Sequence, residues 1–316
     1  MEECGAWNDV SWSKARHRST LMLGAGMLCA ATQLVAQTPP LAPLVLRVPG
    51  SVRYAALNGA GAAFVGDAGA VFGNPAGLAT ISHIAVEGAY RFEPQSGYVG
   101  TAAAAWRIKQ FDVGGGLQYY AVGTDSALVV PTGLDRPHEM LGVGSLVYRF
   151  GLLAAGASVK WVRTTAAGLE ERGVGGDIGV AIAVFDIMAI GFSVQNVGGN
   201  FDDTSPLAMP RLTRLGFTMN YVDPQESFRL RSAVEVQWPE GRAARVVLGG
   251  EAGTVLKGVG VVGRLAYGTP WPDYQPSRFT YGGSVVLSRL LVLDYAYEPS
   301  APFADSRHRL GLRLTL

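Results

Sequence analysis

The amino-acid sequence predicts an all-β fold: a transmembrane antiparallel β-barrel of about 14 strands, preceded by a segment without clean alternation. Three features lead to this prediction. Apolar and polar residues alternate, the alternating stretches are long, and short connections alternate with long ones. Composition agrees, because only 16% of the 316 residues are charged and 48% are hydrophobic. Soluble domains carry roughly 25% charged residues, so a soluble surface would be hard to build from this chain.

The beginning of the chain is typical of a secretory signal peptide. Basic residues precede a short apolar stretch, and small residues suited to signal peptidase end at Ala36. Both cysteines, Cys4 and Cys29, lie in this leader, so we expect the exported chain to contain no disulfide and no thiolate ligand. The sequence therefore predicts three regions: a signal peptide at 1–36, an N-terminal periplasmic segment at 37–81, for which a hatch role is implied only by the resemblance described below, and an outer-membrane β-barrel at 82–316.

The alternation has the period of a β-strand. In the segment 227–238, Val234 and Val236 lie on one face, and Glu235 and Gln237 lie on the other. Because successive side chains of a strand point to opposite faces, such a segment separates an apolar medium from a polar one. The same pattern predicts strands at 82–92, 97–108, 111–123, 138–150, 152–164, 174–185, 187–198, 211–222, 227–238, 242–253, 256–268, 277–288, 290–298 and 307–316.

These strands are long enough to cross a bilayer. A tilted strand needs roughly 9 to 11 residues for the crossing, whereas strands of soluble proteins average about 5 to 6. An open sheet edge in lipid would leave backbone groups unpaired at several kcal/mol each, so a spanning sheet must close. The alternative is a large soluble all-β protein, such as a sandwich, in which the alternation faces a protein core.

The connections alternate in length along the chain. Short ones are predicted at 109–112, 150–153, 185–188, 223–227 and 288–289, and long ones at 123–139, 164–173, 196–211, 268–278 and 298–307. Tight periplasmic turns and long outer loops are typical of bacterial outer-membrane barrels. The predicted location is therefore the bacterial outer membrane, with membrane lipid as a partner. An even strand count predicts that both termini of the mature chain lie in the periplasm.

If the apolar face meets lipid, the other face lines the lumen. The predicted lumen-facing polar residues are Glu87, Arg107, Lys160, Asp177, Arg214, Arg229, Arg231, Glu235, Glu251, Arg264, Asp294 and Arg313. Their charges nearly cancel, which favours ion pairs over a selectivity ring of one sign. Val234→Arg should then be costly, whereas Glu235→Arg should be tolerated better. Inward glycines leave room for a plug, a ligand or a partner segment, or serve barrel curvature.

No catalytic chemistry can be assembled from the sequence. The histidines, His17, His83, His138 and His308, are scattered without metal-ligand spacing, and no serine, histidine and acid can be grouped. We expect a protein that is not an enzyme, with no catalytic residue, no metal site and no cofactor. The net charge of +1 gives no basic face, so nucleic acid is not an expected partner.

Three stretches carry a resemblance to known outer-membrane proteins. "VRYAALNGAGAAFVGDAGAVFGNPAGLATI" at 52–81 resembles the N-terminal signature of the FadL-like superfamily. "IGFSVQNVGGNF" at 190–201 and the closing "LDYAYEP…SRHRLGLRLTL" at 293–316 resemble its PorV/PorQ branch more specifically. One departure is the final Leu316, where outer-membrane proteins usually end in an aromatic residue. The resemblance implies that residues 45–81 fold into the barrel as a hatch, whose motif is Asn74, Pro75, Ala76 and Gly77. Asn74 would satisfy backbone groups of the lumen, and Pro75 would fix a turn.

The resemblance implies two functions of different classes. A PorV-like barrel would bind or dock secreted-protein cargo or translocon subunits in a type IX secretion-like pathway. A FadL-like barrel would be a passive transporter of long-chain fatty acids or other hydrophobic small molecules. The charged lumen favours the docking function, because an acyl chain prefers a mostly apolar pocket. A barrel with only a structural role is a third alternative.

Overall fold

The structure is a computed structural model that describes residues 41–93, 97–123, 136–184, 187–202, 205–222, 228–256, 259–270, 277–288, 290–299 and 306–316. The predicted signal peptide, with Cys4 and Cys29, lies outside the described residues, as does the predicted turn at 223–227.

Fourteen antiparallel strands form a closed barrel in which each strand pairs with its neighbours in sequence and β1 pairs with β14. The strands are β1 Ile84–Phe92, β2 Tyr98–Ile108, β3 Phe111–Ala121, β4 His138–Phe150, β5 Leu153–Ala166, β6 Leu169–Val184, β7 Met188–Phe201, β8 Leu212–Val222, β9 Phe228–Pro239, β10 Arg245–Leu256, β11 Val259–Gly268, β12 Phe279–Val286, β13 Leu291–Glu298 and β14 Arg307–Thr315. The predicted closed antiparallel barrel and its strand number are confirmed.

One predicted connection is wrong. The sequence predicts a long loop at 164–173, but β5 and β6 continue through this stretch and are joined at Ala167 and Gly168 alone. Both residues have positive φ, 52° and 79°, as a two-residue hairpin turn with the twist of its strands requires. Arg163 and Arg172 lie opposite each other in this extension, and Glu170 forms ion pairs with both of them. These pairs continue the hairpin beyond the apolar part of the strands.

The two faces of the barrel wall differ as the period of two requires. In β9, Val234 is 42% exposed on the outer face, whereas its neighbour Glu235 is 2% exposed on the inner face. Large apolar side chains remain exposed along the outer face of the other strands, among them Trp106, Leu146 and Leu265. In lipid these side chains would be covered, so the outer face suits a bilayer rather than water.

The residues before β1 form one helix and three short turns. Helix α1 spans Val52–Ala56, and 3-10 turns span Leu44–Leu46, Ala68–Phe72 and Pro75–Leu78. None of the helices in the described residues is long and apolar enough to span a membrane. We call residues 41–81 the N-terminal segment.

The N-terminal segment contacts the inner face of the wall on every side. It reaches β3 and β4 through its first turn, β12 and β13 through α1, and β5 and β6 through the turn Pro75–Leu78. The inner face provides space because several of its residues are glycine. A Cβ on Gly179 would overlap Asn74, one on Gly191 would overlap Ala62, and one on Gly114 would lie 2.7 Å from Leu78. The segment therefore fills space that side chains would otherwise occupy.

The two ends of the described chain lie at opposite ends of the barrel. The amide of Leu316 donates to the carbonyl of Ile84, at the end where β2 turns into β3; we call this the short-turn end. Leu41 bridges Leu207 in the connection between β7 and β8, at the other end, which we call the long-loop end. The sequence predicts both mature termini in the periplasm, whereas Leu41 does not lie at the end that holds Leu316.

Candidate functional site: the barrel interior

The motif around Asn74 fixes the N-terminal segment to the wall. Asn74 is fully buried, and its Nδ2 donates to the carbonyls of Ala62, at 2.7 Å, and Val180 of β6, at 3.2 Å. Its Oδ1 caps the following turn by accepting from the amide of Ala76 at 3.1 Å. Pro75 suits the first position of that turn because it lacks an N–H.

Close packing explains why residue 77 is a glycine. A Cβ at this position would lie 2.7 Å from the carbonyl oxygen of Phe64 and 2.8 Å from Cβ of Ala70. The backbone of the turn therefore approaches the rest of the segment closely, as only glycine allows. The four residues of the predicted hatch motif thus form a buried turn against β5 and β6.

Arg53 of α1 joins the segment to the opposite wall. Its Nε and Nη2 donate to the two carboxylate oxygens of Glu251 of β10, at 2.8 and 2.5 Å. Its Nη1 donates to Asp67 Oδ2 at 2.6 Å. The guanidinium also lies over the ring of Phe64, with Cζ 4.5 Å from the ring centre. A two-point fork to one carboxylate is the strongest geometry available to arginine.

The contacts of Arg53 belong to a closed circuit of alternating charges. Asp67 also accepts from Arg313 of β14 at 2.8 Å, and Arg313 donates to Asp294 of β13 at 2.5 Å. Asp294 accepts from Arg264 of β11 at 3.1 Å. Arg264 closes the circuit by donating to Glu251 at 2.6 Å. We call these six side chains the ion-pair ring: Arg53, Asp67, Arg313, Asp294, Arg264 and Glu251.

The ion-pair ring shifts the pKa values of Arg53 and Asp67, its two members in the N-terminal segment. Burial by itself would raise the pKa of Asp67, but the attraction of Arg53 and Arg313 outweighs it and lowers that pKa below its ordinary value of 3.8. Burial opposes the charge of Arg53 as well, yet Glu251 and Asp67 hold the pKa of Arg53 well above its ordinary value. Both groups are therefore charged at neutral pH.

A second link joins the segment to β8 and β9. Glu235 Oε2 accepts from the amides of Gly61 and Ala62, both at 2.8 Å, and its Oε1 accepts from Arg214 Nε at 2.7 Å. Glu235 therefore holds segment backbone as well as an ion-pair partner. The expectation that Glu235→Arg is better tolerated than Val234→Arg needs correction, because it assumed an open lumen around this carboxylate.

The twelve predicted lumen residues fall into groups. Four belong to the ion-pair ring, and Arg231 donates to Glu251 from its edge at 3.4 Å. Arg214 pairs with Glu235, and Lys160 pairs with Asp177 at 2.9 Å. The remaining three lie apart from one another: Glu87, Arg107 and Arg229.

Those three have different surroundings. One oxygen of Glu87 accepts from the amide of Val52 at 3.3 Å, and Glu87 forms no ion pair with any described residue. Arg107 pairs with Asp112. Arg229 lines a cavity at the short-turn end and forms no ion pair within the described ranges.

Sequence reasoning missed several interior residues. Asp112 and Arg149 share the inward parity of their strands with residues such as Gly114 and Val147, so the period-two pattern could have identified them. Arg53 and Asp67 lie in the segment without alternation, where no periodic signal exists. In the described ranges, no three His, Cys, Asp or Glu side chains are grouped so that they could hold a metal ion.

Among the cavities lined by described residues, three adjoin the N-terminal segment. The upper cavity, about 100 Å³ at the long-loop end, is lined by Leu46, Tyr54, Phe72, Leu212, Arg245 and other residues. The lower cavity, about 590 Å³ at the short-turn end, is lined by Arg53, Val65, Arg231, Val255, Val262, Val286 and others. The side cavity, about 470 Å³ at the same end, is lined by Val65, Thr80, Arg107, Arg149, Leu152, Ala154 and others.

This chain resembles known proteins in its fold and not in its sequence. No family model matches the chain, and no curated protein matches it in sequence. Solved structures do match it. The Ralstonia pickettii toluene transporter TbuX has a TM-score of 0.55 at 16% identity, covering 85% of this chain and 98% of TbuX. A Pseudomonas aeruginosa FadL homologue has a TM-score of 0.56 at 12% identity, covering 87% and 99%.

A third similar structure is CymD, a monoaromatic hydrocarbon channel, with a TM-score of 0.53 at 14% identity, covering 86% of this chain and 98% of CymD. At these identities the likeness concerns the fold and not the substrate. The chain has the fold of FadL-like outer-membrane β-barrels.

Proposed function

We propose that this barrel is a passive transporter of hydrophobic small molecules across the outer membrane, gated by its N-terminal segment. The observation that carries the proposal is the position of α1, which contributes to the walls of two cavities at opposite ends. Tyr54 and Ala55 line the upper cavity, and Arg53 lines the lower cavity. This single helical turn therefore lies between the two cavities, and in the proposed function a molecule passes from one to the other by displacing it.

The cavity walls suit molecules with apolar surface. Leu46, Phe72 and Leu212 line the upper cavity, and Val255 and Val262 line the lower cavity. Small-molecule sites are mostly apolar, with a few polar groups that fix orientation. The similar structures are described as a toluene transporter, a FadL homologue and a monoaromatic hydrocarbon channel, which supports a hydrophobic substrate for this chain too. Long-chain fatty acids belong to the same broad class.

Docking of secreted proteins rests on the PorV/PorQ resemblance alone. Neither the interior contacts nor the similar structures support a type IX secretion partner. The charged residues of the lumen are the sequence feature that favours docking. In the structure most of them form ion pairs with one another or with the N-terminal segment. Those charges are neutralised in place, so they do not argue against apolar cargo in the cavities beside them.

A reversible covalent lock tests the proposal. A Cβ built on Gly311 of β14 would lie 3.5 Å from Cβ of Val52, within the range that a disulfide needs. The double variant Val52→Cys/Gly311→Cys should therefore hold α1 against the wall when oxidised. Since the only native cysteines, Cys4 and Cys29, precede residue 36, no other thiol is expected to compete in the exported protein.

The measurement is uptake of radiolabelled toluene into outer-membrane vesicles that contain the protein, because their lipopolysaccharide leaflet slows the unaided passage of hydrophobic molecules. We expect uptake by the native chain, loss of uptake in the oxidised double variant, and recovery after a reductant is added. The single variant Val52→Cys is the matched control and should transport under both conditions, whereas Gly311→Cys alone is unsuitable because its Cβ would lie 2.5 Å from Cγ2 of Val52. Uptake that survives in the oxidised variant would exclude gating by α1, and no uptake by the native chain above empty vesicles would exclude toluene transport altogether.

A further inference from the structure

The side cavity contains a charge arrangement that the gated pathway does not use. It lies under Val65 and Thr80 of the N-terminal segment and is open at the short-turn end. Val65 also lines the lower cavity, so this one side chain stands between the two. None of the six ion-pair ring residues lines the side cavity.

Two arginines of the side cavity share one carboxylate. Arg107 Nε donates to Asp112 Oδ1 at 3.2 Å, and Arg149 Nε donates to Asp112 Oδ2 at 2.7 Å. Asp112 is fully buried, whereas the side chains of Arg107 and Arg149 are 26% and 24% exposed. The carboxylate is thus enclosed by the two guanidinium groups, which themselves remain accessible from the cavity.

The charges of this group do not balance. Two cations and one anion leave one positive charge, and none of the described residues that line the cavity is acidic. Nη2 of Arg107 is buried and has no hydrogen-bond partner. The surplus positive charge on the exposed parts of the two guanidinium groups therefore favours an anion.

The rest of the lining is apolar. Ala79, Leu152, Leu153, Ala154 and Ala181 form most of the remaining wall. At about 470 Å³, the cavity lies in the range of small-molecule sites. A bare inorganic anion would leave this apolar wall in contact with water, whereas a ligand with its own apolar body would cover it.

We propose that the side cavity is a binding site for a small monoanion with a compact apolar body, of which an aromatic carboxylate is the simplest example. The ligand carboxylate accepts from those N–H groups of Arg107 and Arg149 that are not already donated to Asp112 or to the carbonyl of Lys109. The ring lies on the alanine and leucine wall. This site goes beyond the proposed transport function, because it is distinct from the path past α1 and can be occupied whether or not the segment moves.

Binding is measured by ¹⁹F NMR on the full chain purified in detergent. The probes are 4-fluorobenzoate, its neutral analogue 4-fluorotoluene, and inorganic phosphate as a competitor without an apolar body. We expect 4-fluorobenzoate to bind, 4-fluorotoluene not to displace it, and phosphate to compete at least about tenfold more weakly. Arg107→Gln and Arg149→Gln should each weaken 4-fluorobenzoate binding about tenfold, since each removes a charged hydrogen bond.

Two further variants separate binding from folding. Ala183→Leu fills part of the cavity and leaves both arginines in place, so it should weaken 4-fluorobenzoate more than phosphate. Arg163→Gln, at the long-loop end, is the matched arginine control and should bind like the native chain. The proposal is overturned if 4-fluorobenzoate fails to bind, if 4-fluorotoluene or phosphate binds as tightly, or if both arginine variants bind it unchanged.

The outcome is independent of transport. Vesicles that contain the Arg107→Gln variant should take up toluene as vesicles with the native chain do. A variant can therefore lose carboxylate binding without losing toluene uptake, and the two measurements test the two proposals separately.

Discussion

Val234 and Glu235 are neighbours in β9 that meet opposite environments. Val234 is 42% exposed on the outer face near the middle of the strand. An arginine at this depth on the lipid side costs roughly 2 to 4 kcal/mol. We expect Val234→Arg to lower the free energy of unfolding in lipid by this amount, measured by urea titration, and Val234→Ile to leave it nearly unchanged.

Glu235 provides the matched inward substitution. Its carboxylate accepts from two segment amides and from Arg214, and breaking a buried pair by removing one partner costs about 3 to 5 kcal/mol. Glu235→Arg should therefore cost at least as much as Val234→Arg. A small cost for Glu235→Arg beside a large one for Val234→Arg would contradict the hydrogen bonds between Glu235 and the N-terminal segment.

The ionisation of Asp67 should make the free energy of unfolding depend on pH in the acid range. Arg53 and Arg313 lower the pKa of Asp67 below its ordinary value of 3.8, so the folded chain binds this proton less tightly than the unfolded chain. The stabilisation is fully present above the ordinary pKa and is lost as pH falls through the lower pKa of the folded state. We expect the free energy of unfolding to decline below about pH 4 in the native chain.

Asp67→Asn is the test of this assignment. The variant should be less stable at pH 7 and should show a shallower decline in acid, because one titrating group is gone. The other carboxylates of the ion-pair ring leave some decline in place. Parallel curves for the two proteins below about pH 4 would show that Asp67 is not held by its arginines.

At the scale of the element, β6 and the turn Pro75–Leu78 fit because one wall residue has no side chain. A Cβ on Gly179 would overlap Asn74 and lie 3.1 Å from Cδ of Pro75. Overpacking of this kind costs about 1 to 3 kcal/mol, so Gly179→Ala should destabilise the barrel by that amount in urea unfolding. Gly144→Ala is the control, because no heavy atom lies within 4 Å of its added Cβ. Equal stability of the two variants would mean that the turn does not press against β6.

The strands were predictable because each carries its own period of two. The connection after β5 could not be predicted in this way. Arg163, Glu170 and Arg172 lie on the outer face but are polar, so the apolar-polar alternation that identifies a strand is missing there. Their cross-strand ion pairs decide the outcome. The role of Gly179 could not be predicted from the sequence either. An inward glycine can allow barrel curvature or leave space for a neighbour, and only the structure shows that Asn74 occupies the space beside Gly179.

At the scale of the whole molecule, closure of the barrel follows from lipid and strand length, but the contents of the lumen do not. Arg53 and Asp67 lie 14 residues apart in a stretch without periodicity, and their partners Glu251 and Arg313 come from distant strands. Pairing over such separations leaves no local pattern. Inward parity could predict that Glu251 and Arg313 face the lumen, and nothing in the sequence could predict which segment residues they meet.

The route of the N-terminal segment through the lumen makes a prediction about topology. Leu41 lies at the long-loop end, where its carbonyl accepts from the amide of Ala208 at 2.9 Å, whereas Leu316 lies at the short-turn end. In outer-membrane barrels the long loops face outward, so an epitope inserted directly before Leu41 should be labelled by antibody on intact cells. An epitope added after Leu316 should be labelled only after the outer membrane is permeabilised. If both epitopes need permeabilisation, the mature termini share the periplasm as the even strand count suggests, and the segment does not run through the barrel to its outer end.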